Sequence, residues 1–175
     1  MTPPALPRVG ISSCLLGEAV RYDGGHRKQS DLLLALEGQV EWVSICPEVE
    51  LGLGVPRETI QIETQGAELR LITCESRQDL TRAMQSWARE RISALTAQRI
   101  SGYVLKARSP SCGIGSVRVE GRNRKASGMF AAELARRLPQ LPLVEEGDLE
   151  RSADRELFLQ RVHSYYQLRL TKVIG

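Results

Sequence analysis

Apolar residues in this chain fall into two patterns: short β-branched or aliphatic runs, and longer stretches that repeat every three or four positions. Residues 8–12 (RVGIS), 40–45 (VEWVSI), 102–106 (GYVLK) and 141–144 (LPLV) belong to the first kind and read as strands. Residues 59–64 and 67–73 alternate apolar and polar side chains about Gln65-Gly66, as a β-hairpin does. A further short strand is expected over 116–120, before a polar turn at 121–125. The clearest helix is 79–98, where Leu80, Met84, Trp87, Ala88, Ile92 and Leu95 share one face. Ser30 is expected to cap a short helix over 30–37, with Gly38 just beyond its end. Ser127 is expected to cap another that ends near Leu138 and Pro139, and 152–170 holds a final amphipathic helix. Alternating strands and helices predict an α/β fold: one domain over 1–175 with a largely parallel central sheet flanked by helices, Rossmann-like and three-layered, with a β-hairpin insertion.

Composition changes this picture little. With 42% hydrophobic and 26% charged residues over 175 positions, the chain has the balance of a soluble globular protein. Its longest obvious apolar run, 32–36, is far short of the roughly 18 residues a membrane helix needs. The opening MTPPALPRVG lacks the basic and apolar regions of a secretory signal, so residues 1–7 read as a Pro-rich lead-in and the expected location is the cytoplasm. Charge is uneven: 1–81 carry 7 basic and 12 acidic side chains, whereas 82–137 carry 12 and 3. A basic central block can serve a polyanion, or can be scattered over solvated helix faces.

Four cysteines are too few for a disulfide scaffold, and in a reducing compartment they suggest ligands or catalysts. Cys14, Cys46 and Cys112 each follow a predicted strand by one to six residues, beside Gly17, Pro47, Pro110 or Gly113. Ligands of open parallel sheets bind just beyond the carboxyl ends of the strands, so three distant cysteines can meet there. Three thiolates can hold a [4Fe–4S] cluster or Zn²⁺, although the intervals of 32 and 66 residues match neither a ferredoxin run nor a paired CxxC site. Small buried cysteines are the structural alternative. Gly52-Leu53-Gly54 and Gly113-Ile114-Gly115 do not extend to a Walker lysine or a dinucleotide fingerprint, and no SGGxDS-type loop for ATP-dependent thiolation is present.

The stretches VGISSCLLGEAVRYDGGHR, VSICPEVELGLGVPRE and VLKARSPSCGIG resemble, in the same order, the three signature segments of the TudS-like thiouracil desulfidase family. The likeness spans about residues 8–145. It implies an α/β domain with an oxygen-sensitive [4Fe–4S] cluster on Cys14, Cys46 and Cys112, loaded by iron–sulfur assembly machinery. The implied reaction replaces the thiocarbonyl of a thiolated nucleobase or nucleoside, in tRNA or free, by a carbonyl without net redox change. Cys74 lies outside the motifs and is read as structural.

Such a reaction needs a base for water and donors for the substrate. Glu48 is the candidate base, with Glu50 as the fallback. Ser109 and Lys106 are the other catalytic candidates, and Ser12, Ser13, Arg21, Asp23 and Ser111 the substrate contacts, with Tyr22 and the Gly24-Gly25 turn in the same loop. His26 and His163 are expected to be incidental. Two other readings compete: a zinc-stabilised RNA-binding module without catalysis, and an enzyme using Cys112 as nucleophile with His26.

Overall fold

The computed structural model describes residues 5–171. The main sheet is fully parallel, built from β1 (Arg8–Ser12), β2 (Glu41–Ile45), β5 (Ile100–Leu105) and β8 (Leu143–Glu145) in the order β2-β1-β5-β8. Every residue of β5 is buried. That burial on both faces is why its sequence, ISGYVL, reads as a run and not as an alternation.

On one face lie α2 (Ser30–Ala35) and α6 (Ser152–Thr171), whose Leu32, Phe158, Leu159 and Val162 join Val9, Ile11 and Val104 in one core. On the other, α4 (Thr81–Ala97) and α5 (Met129–Arg137) bring Ala88, Ile92, Leu95, Phe130 and Leu134 against Ile45, Tyr103 and Leu105. This is the expected three-layer arrangement.

The expected hairpin is present as β3 (Ile60–Gln65) and β4 (Glu68–Thr73), antiparallel from Ile60↔Thr73 to Gln65↔Glu68. It is not a bare insertion. β3 also pairs in parallel with β6 (Val117–Glu120), which pairs with β7 (Lys125–Ala126), making a second four-stranded sheet in the order β4-β3-β6-β7. Ile62, Leu71, Val117 and Val119 form its core with Leu80 and Met84 at the start of α4. One amphipathic helix therefore serves two sheets, its first turns facing one and its later turns the other, with Trp87 against both.

Two expected caps are replaced. Ser127 Oγ accepts the Gly115 amide, and the N-cap of α5 is Gly128. Ser30 is the first residue of α2, after Gln29. Two short helices went unrecognised, α1 (Ser13–Leu16) and α3 (Pro47–Glu50), each following a main-sheet strand with at most one residue between. The final strand also begins later than expected, at Leu143.

Close packing across the main sheet depends on Gly10. A Cβ there would lie 2.3 Å from Cδ2 and 2.5 Å from Cε2 of Tyr103, whose fully buried ring also stacks edge-on against Phe130 at 5.7 Å. Gly10→Ala is therefore expected to lower stability by about 1–3 kcal/mol, as overpacking of a filled core does. The measurement is the urea midpoint at unchanged slope; an unmoved midpoint would show that the ring has room to shift.

Candidate active site

The rim at the carboxyl ends of the main-sheet strands opens into a cleft of about 320 Å³. Cys14 reaches it from α1, straight after β1, and Cys46 from the residue between β2 and α3. Cys112 comes from the turn after β5. All three are free thiols, with Cys14 8% and Cys112 3% exposed. Among the described residues no three Cys, His, Asp or Glu converge closely enough to hold a single metal ion. The thiols line a cavity and do not form a closed tetrahedral site.

Each thiol is shifted toward its protonated form, first by burial. Cys14 is pushed up to about 11, with Lys106 opposing and Cys46 adding to the rise. Cys112 is raised further by complete burial, partly offset by a hydrogen bond with Ser12, while Glu48, Cys46 and Cys14 push it up. Cys46 is raised by burial, opposed by the Val49 amide. The thiols feel one another's charge, as neighbours in a region of low polarity do.

The turn that carries Cys112 is held by its own hydroxyl and by a helix. Ser109 Oγ accepts the amides of Ser111 and Cys112 at 3.2 and 3.1 Å. The carbonyls of Pro110, Ser111 and Gly113 accept the amides at the start of α5: Met129, Phe130 and Ala131, and Gly128. Gly128 permits the approach, since a Cβ there would sit 2.4 Å from the Ser111 carbonyl carbon.

Of the candidate residues, Ser12, Ser13, Arg21, Glu48, Lys106 and Ser109 line the cleft with the three cysteines. Ser111 and Asp23 do not line it. Ser111 is buried behind Glu48, donating its hydroxyl to Oε1 at 3.0 Å. Asp23 is exposed and accepts the Gly25 amide, shaping the 21–25 turn. Glu50 faces away and pairs with Arg91 at 2.8 Å. His26 does not line the cleft; its Nδ1 accepts the Lys28 amide. Cys74 lies apart, beside Gln61 on the second sheet.

Among the described residues Glu48 is the one acidic side chain lining the cleft, against Arg21, Arg27, Arg57, Lys106 and Arg108. Its carboxylate is gripped by Arg57 at 2.8 Å, and the two side chains are only 15% and 6% exposed. Lys106 is paired with Glu146, whose other oxygen accepts the Ala107 amide at 2.6 Å. Arg21 lines the cleft; its buried Nε has no hydrogen-bond partner among the described residues and lies 3.6 Å from Asp23 Oδ1 in an ion pair.

Arg57 and Glu146 went unrecognised. Arg57 stands inside the quoted stretch LGLGVPRE, and Glu146 just past the last strand, where the rim rule could have flagged a carboxylate. The basic central block does not assemble here. It contributes Lys106 and Arg108 to the cleft, while Arg82, Arg89, Arg118, Arg122, Arg124 and Lys125 are exposed on α4 and around β6 and β7.

A family model described as 2-thiouracil desulfurase matches residues 9–146. The chain is 30% identical over 133 residues to the uncharacterized protein YbbK of Bacillus subtilis (strain 168), covering 71% of this chain and 87% of that protein. Among solved structures it is similar to the [4Fe-4S]-dependent thiouracil desulfidase TudS, at 33% identity and a TM-score of 0.64, covering 82% of this chain and 93% of the other. With the match running from β1 to the end of β8, through every cysteine of the cleft, this chain belongs to the 2-thiouracil desulfurase family.

Proposed function

We propose that this protein removes sulfur from thiolated uracil derivatives, with thiouracil and 4-thiouridine as the substrate class, on a [4Fe–4S] cluster held by Cys14, Cys46 and Cys112. The observation that carries the reading is that three free thiols from three distant segments line one cleft beside the Glu48 carboxylate. An all-sulfur donor set lining a cavity suits a cluster better than a lone ion. Held by three thiolates, such a cluster offers one iron without a protein ligand, a soft Lewis acid for a thiocarbonyl sulfur.

The side chains supply the rest. Glu48 takes the proton of the attacking water; Arg57 and Ser111 fix its carboxylate and leave lone pairs for that proton. Ser109 spends its acceptor capacity on two amides, so its hydroxyl proton is available to the substrate. Arg21, at the cleft wall, presents its guanidinium to a ring carbonyl. Lys106, neutralised by Glu146, keeps a donor at the cleft wall without adding net charge. Ser12 and Ser13, both almost fully buried, support the cysteine loops from beneath, Ser12 by accepting the Lys106 amide.

The small share of the basic block in the cleft, Lys106 and Arg108, favours a base or nucleoside at that site. The cysteine-nucleophile reading loses its base, because His26 does not line the cleft, and its thiolate, because burial raises Cys112.

Anaerobic reconstitution, followed by sulfide assay with 2-thiouracil, 4-thiouracil, 4-thiouridine and thiolated tRNA, tests the reading. Serine at position 14, 46 or 112 is expected to abolish both the brown absorbance and sulfide release, whereas Cys74→Ser retains both. A colourless wild-type protein with bound zinc would sink the proposal.

Glu48→Gln is expected to keep the absorbance and lower turnover by roughly 100-fold or more, the usual loss of a general base; turnover near the wild-type rate would remove Glu48 from that role. Arg57→Met is expected to cost about 3 kcal/mol of stability, since it strands a largely buried carboxylate. Adding Glu48→Leu should recover part of that loss in a denaturation cycle; purely additive losses would show the pair to be uncoupled.

A further inference from the structure

Glu18, Ser44 and Ser13 form a hydrogen-bonded chain from the surface to the cleft wall. Glu18 is exposed, Ser44 half-buried, and Ser13 buried among the residues that line the cleft. Local structure brings the three together. Helix α1 ends at Gly17, whose φ of +98° turns the chain back so that the Glu18 amide donates to the Ser13 carbonyl at 3.3 Å. Parallel pairing of β1 and β2 sets Ser44 opposite Ile11, two residues before Ser13. Ser44 Oγ then lies 2.8 Å from Ser13 Oγ and bonds the Glu18 carboxylate.

The donors in this chain have only one consistent order. A carboxylate accepts, so the single proton of Ser44 goes to Glu18, in a charge-assisted bond that fixes its direction. Ser44 has no second proton for Ser13, and the 2.8 Å contact must carry the proton of Ser13 instead. Ser13 therefore stands at the cleft wall with its donor spent and a lone pair left over. Among the described residues no amide claims that oxygen, whereas Ser12 Oγ accepts the Lys106 amide. Ser109 has the opposite polarity: two amides occupy its oxygen and its proton is free. The cleft thus holds one hydroxyl that accepts and one that donates.

We propose that Ser13 Oγ accepts the N3–H of the uracil ring, with Ser44 and Glu18 as positioning residues that hold it in the accepting state. This rests on the desulfidase reading above and names what the site selects, a pyrimidine with a donor between its two carbonyl or thiocarbonyl groups. A ring without that donor leaves a buried oxygen unpaired, the kind of mismatch by which polar sites reject close analogues.

The test uses the reconstituted protein under anaerobic conditions. Uridine and 3-methyluridine, which carry no sulfur, are titrated by calorimetry, and 4-thiouridine is assayed against its 3-methyl derivative. Wild type is expected to favour the N–H form by about 30-fold in both Kd and kcat/KM. Ser13→Ala should bring that preference to within about threefold, mostly by weakening the N–H ligands. A disturbed Cys14 loop would weaken both ligands of a pair alike and leave the ratio in place. Glu18→Gln, at an exposed position, decides the matter if Ser13→Ala does not load. Its amide can donate as well as accept, so the chain can reverse, and the preference should fall about threefold. An undiminished preference in a loaded variant would overturn the inference and leave the desulfidase reading intact. So would a wild type that does not distinguish the two nucleosides. A wild type that takes up no cluster would overturn both.

Discussion

Position of the Cys112 turn depends on a contact that involves no cysteine. The first amides of α5 have no partners within the helix, as at any helix start, and here they are satisfied by the carbonyls of Pro110, Ser111 and Gly113. The turn is thus held at several successive points, on a helix whose Phe130 and Leu134 are anchored in the core. No side-chain cap intervenes, and Gly128 lets the two backbones touch. Cys14 and Cys46 need less, because each follows its strand within two residues and parallel pairing of β1 and β2 sets both ends level, Ser12 opposite Ile45. Register therefore positions two sulfurs, and helix-end hydrogen bonding positions the third.

The charges around the cleft are arranged by pairing. Glu48 with Arg57, and Lys106 with Glu146, are each largely withdrawn from water, where an isolated ion would be costly to keep. Pairing fixes both carboxylates and lends their remaining oxygens to neighbours, Ser111 in one case and the Ala107 amide in the other. Glu145 braces the far side of the Cys112 turn through hydrogen bonds, accepting the Ile114 amide and the Ser116 hydroxyl. The two acids at the end of β8 therefore hold both flanks of the turn, which ties the edge strand of the main sheet to the chemistry at its rim.

The main sheet was legible because its central strands β1 and β5 are buried almost throughout and its edge strands are short aliphatic or aromatic runs after loop residues. Helix α4 was equally plain from its repeat. The second sheet was half visible: β3 and β4 alternate clearly, but pairing of β3 with β6 joins residues more than fifty positions apart, and nothing local encodes it. Short α1 and α3 were hidden because a single turn has no repeat to detect. In the cleft, the cysteines and Glu48 were legible through their place after strands and within motif stretches. Arg57 was not, since its role arises only when the 54–57 loop folds back on α3. The 82–137 block left two readings open for the same reason: linear charge density does not report where each arginine emerges, and of that block Lys106 and Arg108 reach the cleft.

Burial decides which form of the cleft cysteines is favoured. As thiols, Cys14 and Cys112 are small and uncharged, and they belong to the core clusters of Leu15 and of Ile45 and Phe130. As thiolates they would repel one another in a region of low polarity, and only a positively charged partner among them offsets that repulsion. Lys106 opposes the rise at Cys14 and Arg57 that at Cys46, but burial outweighs both, so the cleft disfavours lone thiolates. The same burial that disfavours the cysteines as nucleophiles would suit them to a cluster, and the Arg57 pair holds the Glu48 carboxylate beside them in the cleft.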